Sequence, residues 1–191
     1  MSYLMNYIFS LKKYVQRVLL ILCMLFIGSS YGAEGQSFIE TDEPFFLIKD
    51  ANRQSEAWAT CSAAYEILST MLKSESPAQS DQFHQFANGA KLAVLMSFLV
   101  DAIKDIDESD DASVARFNAS FTYGKVAMES LPETKASSLM AIFESGGDKN
   151  QERWMANLGT TVKHCVDNLD GQQSHIDLWR SIATSGLLKL E

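Results

Sequence analysis

Residues 77–106 read PAQSDQFHQFANGAKLAVLMSFLVDAIKDI, and the spacing of their apolar side chains decides the fold class. Phe83, Phe86, Ala90, Val94 and Phe98 make one stripe; Leu92, Leu95, Leu99, Ile103 and Ile106 make another. Steps of three and four are the period of an amphipathic α-helix. From Ala90 to Val100 the segment is apolar nearly all round, broken by Lys91 and Ser97. A helix with that pattern is normally surrounded by others, so it is expected at the centre of the domain. Pro77 suits its first turn, where a missing N–H costs nothing. At about 1.5 Å per residue the helix spans on the order of 40 Å.

Upstream, Trp58, Cys61, Tyr65, Leu68 and Leu72 form one stripe of a first helix, with Asn52 or Ser55 as candidate caps and Ser74-Glu75-Ser76-Pro77 as its end. Downstream, Val114, Phe117, Phe121, Gly124, Met128 and Leu131 predict a third helix, with Ser109 or Asp111 as its cap. Pro132 is expected to divide it from a fourth carrying Ala136, Leu139, Ile142 and Phe143, which Gly146-Gly147 would stop in a left-handed turn. Asp148 or Asn150 would cap a fifth helix with Trp154, Leu158, Val162, Cys165 and Leu169 inward, ending at Gly171. A sixth holds Ile176, Trp179, Ile182 and Ala183. Nothing alternates with a strand period for long enough to displace these helices. The fold class expected is all-α: an antiparallel bundle of about five to six helices.

The remaining segments organise around that bundle. Residues 1–33 read as a signal peptide: Lys12, Lys13 and Arg17, then the unbroken apolar run from Val18 to Ile27, then Gly28, Ser29, Ser30, Tyr31, Gly32 and Ala33. Small residues allow cleavage after Gly32 or after Gly35, so the boundary falls within 32–35. An uncleaved N-terminal membrane anchor is the minor alternative. A lipoprotein fits poorly, because Leu22 stands before Cys23. Residues 34–54 are irregular around Glu43-Pro44 and read as an extended arm, with Phe45–Ile48 either lying across the helices or exposed as a docking strip. Residues 55–191 make one helical domain. No second hydrophobic span of membrane length is expected beyond the leader.

Without the leader two cysteines remain, Cys61 and Cys165, both on apolar helix faces. In an oxidising compartment they allow one pairing, a disulfide tying the first helix to the fifth. Loss of three basic residues would leave 13 Lys+Arg against 24 Asp+Glu, a net charge of −11 where the whole chain has −8. A surface of that sign repels a phosphate backbone, which disfavours nucleic acid.

No catalytic, metal-ligand or nucleotide-binding constellation stands in the sequence. His84, His164 and His175 show neither His-x-x-x-His nor Glu-x-x-His spacing, and read as surface or half-buried side chains. Asp105 to Asp111 mimics the start of a calcium loop, but Asp110 stands where the glycine belongs and Arg116 where the bidentate glutamate belongs. The stretch from Asp148 fails likewise, with Gly159 at the last position. Acidic residues at helix starts explain both, since the macrodipole favours carboxylates there. Gly28-Ser29-Ser30-Tyr31-Gly32 matches a nucleophile elbow only inside the leader. Gly124-Lys125 lacks a phosphate-binding loop, Asp101 and Asp105 share a solvated face beside Lys104, and Asn118-Ala119-Ser120 is a glycosylation tripeptide in mid-helix. No catalytic residue, cofactor or metal is assigned, and the balance leans away from an enzyme.

The expected role is therefore an exported, acidic, non-catalytic helical protein acting by protein binding, as an inhibitor, an immunity-type protector or an assembly factor. It would be periplasmic in a bacterium and secreted in a eukaryote. A basic protein is the partner its charge suits. The alternative is a carrier holding an apolar small ligand between helices two, three and five.

Overall fold

A computed structural model of the 191-residue chain describes residues 35–104, 106–107 and 109–185. The expected leader with its elbow-like serine motif, Asp105 and residues 186–191 lie outside the described residues. Among those described there are five α-helices and no strand: α1 Ala51–Leu72, α2 Pro77–Lys104, α3 Asp111–Ser145, α4 Asp148–Val166 and α5 Leu169–Ser185. A 3-10 turn, Phe45–Leu47, interrupts the arm that leads into α1. The all-α bundle stands as expected.

Small side chains set the helix order. Ser62 Oγ donates to the Ala87 carbonyl at 3.0 Å, and Ser80 Oγ donates to the Ser69 carbonyl at 2.8 Å, so α1 and α2 run antiparallel in close contact. Gly124 brings α3 against α2: a Cβ there would lie 2.8 Å from Leu95 Cδ1. The last helix runs along α2 in the same direction, with Gln172 against Gly89 and Ile182 in one apolar cluster with Leu95 and Leu99. Contrary to expectation, α1 is the more enclosed helix. Fifteen of its 22 residues are buried, against 10 of 28 in α2. Ala59, Cys61, Ser62, Ala63 and Ala64 let neighbours approach α1 from every side, whereas Leu92, Phe98 and Ile103 of α2 stay partly exposed. Helix α2 is nonetheless long and apolar enough to cross a membrane, which overturns the expectation of no second such span. Here it packs against α1, α3 and α5.

Pro132 does not divide two helices. It sits buried inside the continuous α3. Proline withholds one N–H and crowds the preceding turn, at about 3 kcal/mol, but its fixed φ is helical. Burial of Pro132 and Leu139 offsets that cost, with the Leu139 carbonyl accepting the Trp154 indole N–H from α4 at 2.8 Å. Caps also shift by a residue or two. Asp50 caps α1, accepting from Arg53 N; Asp110 caps α3, accepting from Ala112 N and Ser113 N; Gly147 precedes α4 with no side-chain cap bond. Gly146 is extended at φ −97°, not left-handed. Helix α4 ends at Val166, and Gly171 lies inside α5 instead of ending its predecessor. A Cβ there would meet Phe46 at 3.5 Å and Trp58 at 3.7 Å, ordinary contact distances.

The expected inward stripes of α1 and α4 hold. Trp58, Cys61, Tyr65, Leu68 and Leu72 are buried, as are Trp154, Leu158, Val162 and Cys165. Cys61 and Cys165 are disulfide-bonded across α1 and α4, with Cα atoms 5.6 Å apart and both side chains fully buried. Ile142, placed inward by its period, is 54% exposed.

Candidate functional site

Each residue singled out by sequence has a definite place. His84 is exposed, with Nδ1 3.1 Å from Glu66 Oε2. His164 is half-buried, its ring centroid 5.1 Å from that of Phe45. His175 differs from the expectation: it is buried, edge-on to Trp58, and burial pushes its pKa down to about 4. The three histidines do not converge, and among the described residues no group of His, Cys, Asp or Glu could hold a metal ion. In the calcium-like stretch Asp107 accepts from both the backbone and the hydroxyl of Ser109, which holds its carboxyl below the usual range, while Asp110 caps α3. Asp101 pairs with Lys104 at 3.0 Å on the surface. Asn118 is exposed in mid-helix, and Gly124-Lys125 lies within α3.

A buried polar group accompanies His175. Trp58 Nε1, Tyr65 OH, Gln172 Oε1 and His175 Nε2 have no protein hydrogen-bond partner among the described residues. Desolvation drives the Tyr65 phenol far above its ordinary range, with the charge of Asp167 adding to it. These groups sit on α1 and α5 inside the core.

The arm is the surface feature that sequence reasoning left undecided. Three polar side chains along α4 and its end pin its backbone. Asn157 Oδ1 accepts from Gln36 N at 2.8 Å, Thr161 Oγ1 from Phe38 N at 2.8 Å, and Asn168 Oδ1 from Phe45 N at 2.9 Å. The Gln54 amide closes the other side by donating to the Phe45 carbonyl at 2.7 Å. The arm thus travels along α4 in the same direction. The Phe45–Ile48 cluster is split between the core and the surface. Phe45 and Ile48 are buried, while Phe46 is 59% and Leu47 51% exposed. The tight 3-10 turn produces that split, two side chains inward and two outward. Immediately before them stand the exposed carboxylates Glu40, Asp42 and Glu43.

Between this arm, α1 and α3 lies a cleft of about 290 Å³. It is not between helices two, three and five. Ile39, Ile48 and Ala57 supply apolar wall, and Glu40, Arg53, Glu56 and Lys135 supply charge. Lys135 Nζ pairs with Glu56 Oε2 at 3.2 Å. Sequence reasoning missed Asn157, Thr161 and Asn168; their signal was polar residues on or beside an otherwise apolar face, spaced near helical turns. It also missed Arg53 and Lys135, which lie 82 positions apart and meet only through the fold.

No family model, no curated protein and no solved structure matches the chain.

Proposed function

We propose that this is an exported, non-catalytic binding protein that engages a basic protein partner through its arm. The observation that carries the reading is the strip at 40–47: three exposed carboxylates followed by two exposed large apolar side chains, on a backbone fixed to the bundle. Exposed Phe is among the aromatic residues enriched at binding surfaces, and flanking charge steers a partner of opposite sign. Fixing the arm in advance lowers the ordering cost of association. Roles as an inhibitor, an immunity-type protector or an assembly factor all use such a surface. A carrier of apolar cargo draws less support, since the cleft has charged walls and large side chains such as Trp58, Tyr65, Met96 and Leu158 occupy the interior.

Export is part of the same proposal. It rests on the basic, then apolar, then small-residue order of residues 1–33, and a buried disulfide is consistent with an oxidising compartment. N-terminal sequencing of the protein recovered outside the cytoplasm should begin between residues 33 and 36; recovery solely as an intact membrane-bound chain would refute cleavage.

The partner reading is tested by cross-linking capture from the compartment where the protein resides, comparing the parent chain with Phe46→Ser/Leu47→Ser. The expected result is a basic partner held by the parent, released by added salt and lost in the variant. Equal capture by both chains, or none by either, would refute the assignment to the arm.

A further inference from the structure

The cleft between the arm, α1 and α3 has a charge arrangement that surface pairing does not complete. Four charged side chains line it, two of each sign. Lys135 and Glu56 satisfy one another at 3.2 Å. Arg53 and Glu40 do not: among the described residues neither has an ion-pair partner, and they are not paired with each other although both line one cleft. Arg53 is set by the first turn of α1, whose start is fixed by Asp50 accepting from Arg53 N at 2.9 Å. Glu40 follows the buried Ile39 on the pinned arm. The two unpaired charges therefore stand on separate, anchored elements at one cleft, whose apolar lining residues Ile39, Ile48 and Ala57 are themselves largely buried.

We infer that this cleft binds a small zwitterion of the amino-acid type. Its carboxylate would meet the Arg53 guanidinium, whose planar fork of donors matches a carboxylate. Its ammonium would meet Glu40, and its small side chain would sit in a cleft whose exposed lining is mainly polar. A simple carboxylate satisfies Arg53 but brings a second negative charge toward Glu40. A simple amine has the opposite defect with Arg53. A ligand carrying both charges is the class that answers both groups. About 290 Å³ lies at the small end of ligand pockets, which suits a single amino acid over a larger cofactor. This inference does not rest on the partner reading: the two share Glu40, but Phe46 and Leu47 do not line the cleft.

The test is a calorimetric titration of the full chain with L-leucine and L-alanine, and with isocaproate and isoamylamine, which are leucine without its amino group and without its carboxylate. Leucine is expected to bind saturably, and each singly charged analogue at least about tenfold more weakly, as loss of one charge-assisted hydrogen bond implies. Arg53→Gln and Glu40→Gln should each weaken leucine binding at least about tenfold. Both positions are exposed, so circular dichroism and the unfolding midpoint should not move. Phe46→Ser/Leu47→Ser should bind leucine like the parent, which separates this site from the partner surface. No saturable heat with either amino acid, analogues that bind as tightly as leucine, or Gln variants that bind like the parent would overturn the inference.

Discussion

Thr161→Val removes one atom's worth of function from the strap that holds the arm. Thr161 is fully buried, and its hydroxyl sits in a two-way bond. It accepts from Phe38 N at 2.8 Å and donates to the Asn157 carbonyl at 2.8 Å. Valine keeps the shape but has no acceptor, so the Phe38 amide loses its partner at a part-buried position. An unmade hydrogen bond of that kind costs about 1–3 kcal/mol. The Asn157 carbonyl keeps its helical N–H, and the added methyl gains a little burial, so the net loss is placed at about 1–2 kcal/mol. That corresponds to roughly a tenfold increase in local opening of the arm, since 1.4 kcal/mol is a factor of ten. Amide hydrogen exchange reads this directly. The Phe38 and Ile39 amides should exchange about tenfold faster in the variant, while amides in the middle of α1 should change far less, because the arm opens without the bundle. Leucine binding should also weaken, since Ile39 and Glu40 are carried by that backbone. If Phe38 exchange is unchanged, the Thr161 bond does not hold the arm. If every amide in the domain speeds up equally, the arm is not a separable unit and the reasoning fails.

Three further outcomes follow from the packing. Cys61→Ala/Cys165→Ala opens a link spanning 104 positions, which the chain-entropy model values at about 4.7 kcal/mol; denaturant unfolding of the variant should show a loss near that size, and a loss below about 1 kcal/mol would mean the bond constrains little. His175 has its folded pKa depressed from 6.5 to about 4, so the unfolded chain binds the extra proton first and stability falls as pH drops from about 6.5 toward 4, by about 3 kcal/mol. His175→Phe should flatten urea midpoints across that window, and an unchanged slope would remove the histidine from the account. Gly124→Ala places a methyl 2.8 Å from Leu95 Cδ1 and 3.1 Å from the Leu95 carbonyl, and overpacking of this kind costs about 1–3 kcal/mol; a thermal midpoint equal to the parent's would show that α2 and α3 part freely there.

The helical period carried most of the fold into the sequence. Stripes such as Trp58, Cys61, Tyr65, Leu68 and Leu72 are buried where their spacing puts them, because one face of each helix must leave water. What the period concealed was competition between local and tertiary terms. Pro132 carries a real local penalty, and reading it as a break neglected the burial that surrounds it in α3. The centre of the bundle was likewise assigned by counting large apolar residues along α2. Enclosure went instead to α1, whose alanines and serines let neighbours come close. Small residues register weakly on a hydrophobicity pattern but strongly in the distance between helix axes. Gly171 misled for a related reason. A glycine can mark the end of a helix or sit inside one, and here the next helix has already begun at Leu169.

The candidate site was far less legible, and the cause is geometric. A catalytic motif places its residues at short, readable spacings. Here the arm is fixed by Asn157, Thr161 and Asn168, more than 120 positions from the backbone they hold, and the cleft joins Glu40 to Arg53 and Lys135. None of these is unusual as a residue type. Arg53 reads as an ordinary charge near a helix start until Lys135 is seen to be matched with Glu56, leaving Arg53 and Glu40 as the unmatched pair. A complementary deficit of that sort is a property of the assembled surface. It depends on which charges find partners in three dimensions, and side-chain order along the chain does not encode that. The same holds for the strip at 46–47, where one turn of 3-10 helix separates two buried side chains from two exposed ones. The sequence offered four apolar residues in a row. The fold makes half of them core and presents the other half, beside three carboxylates, to solvent.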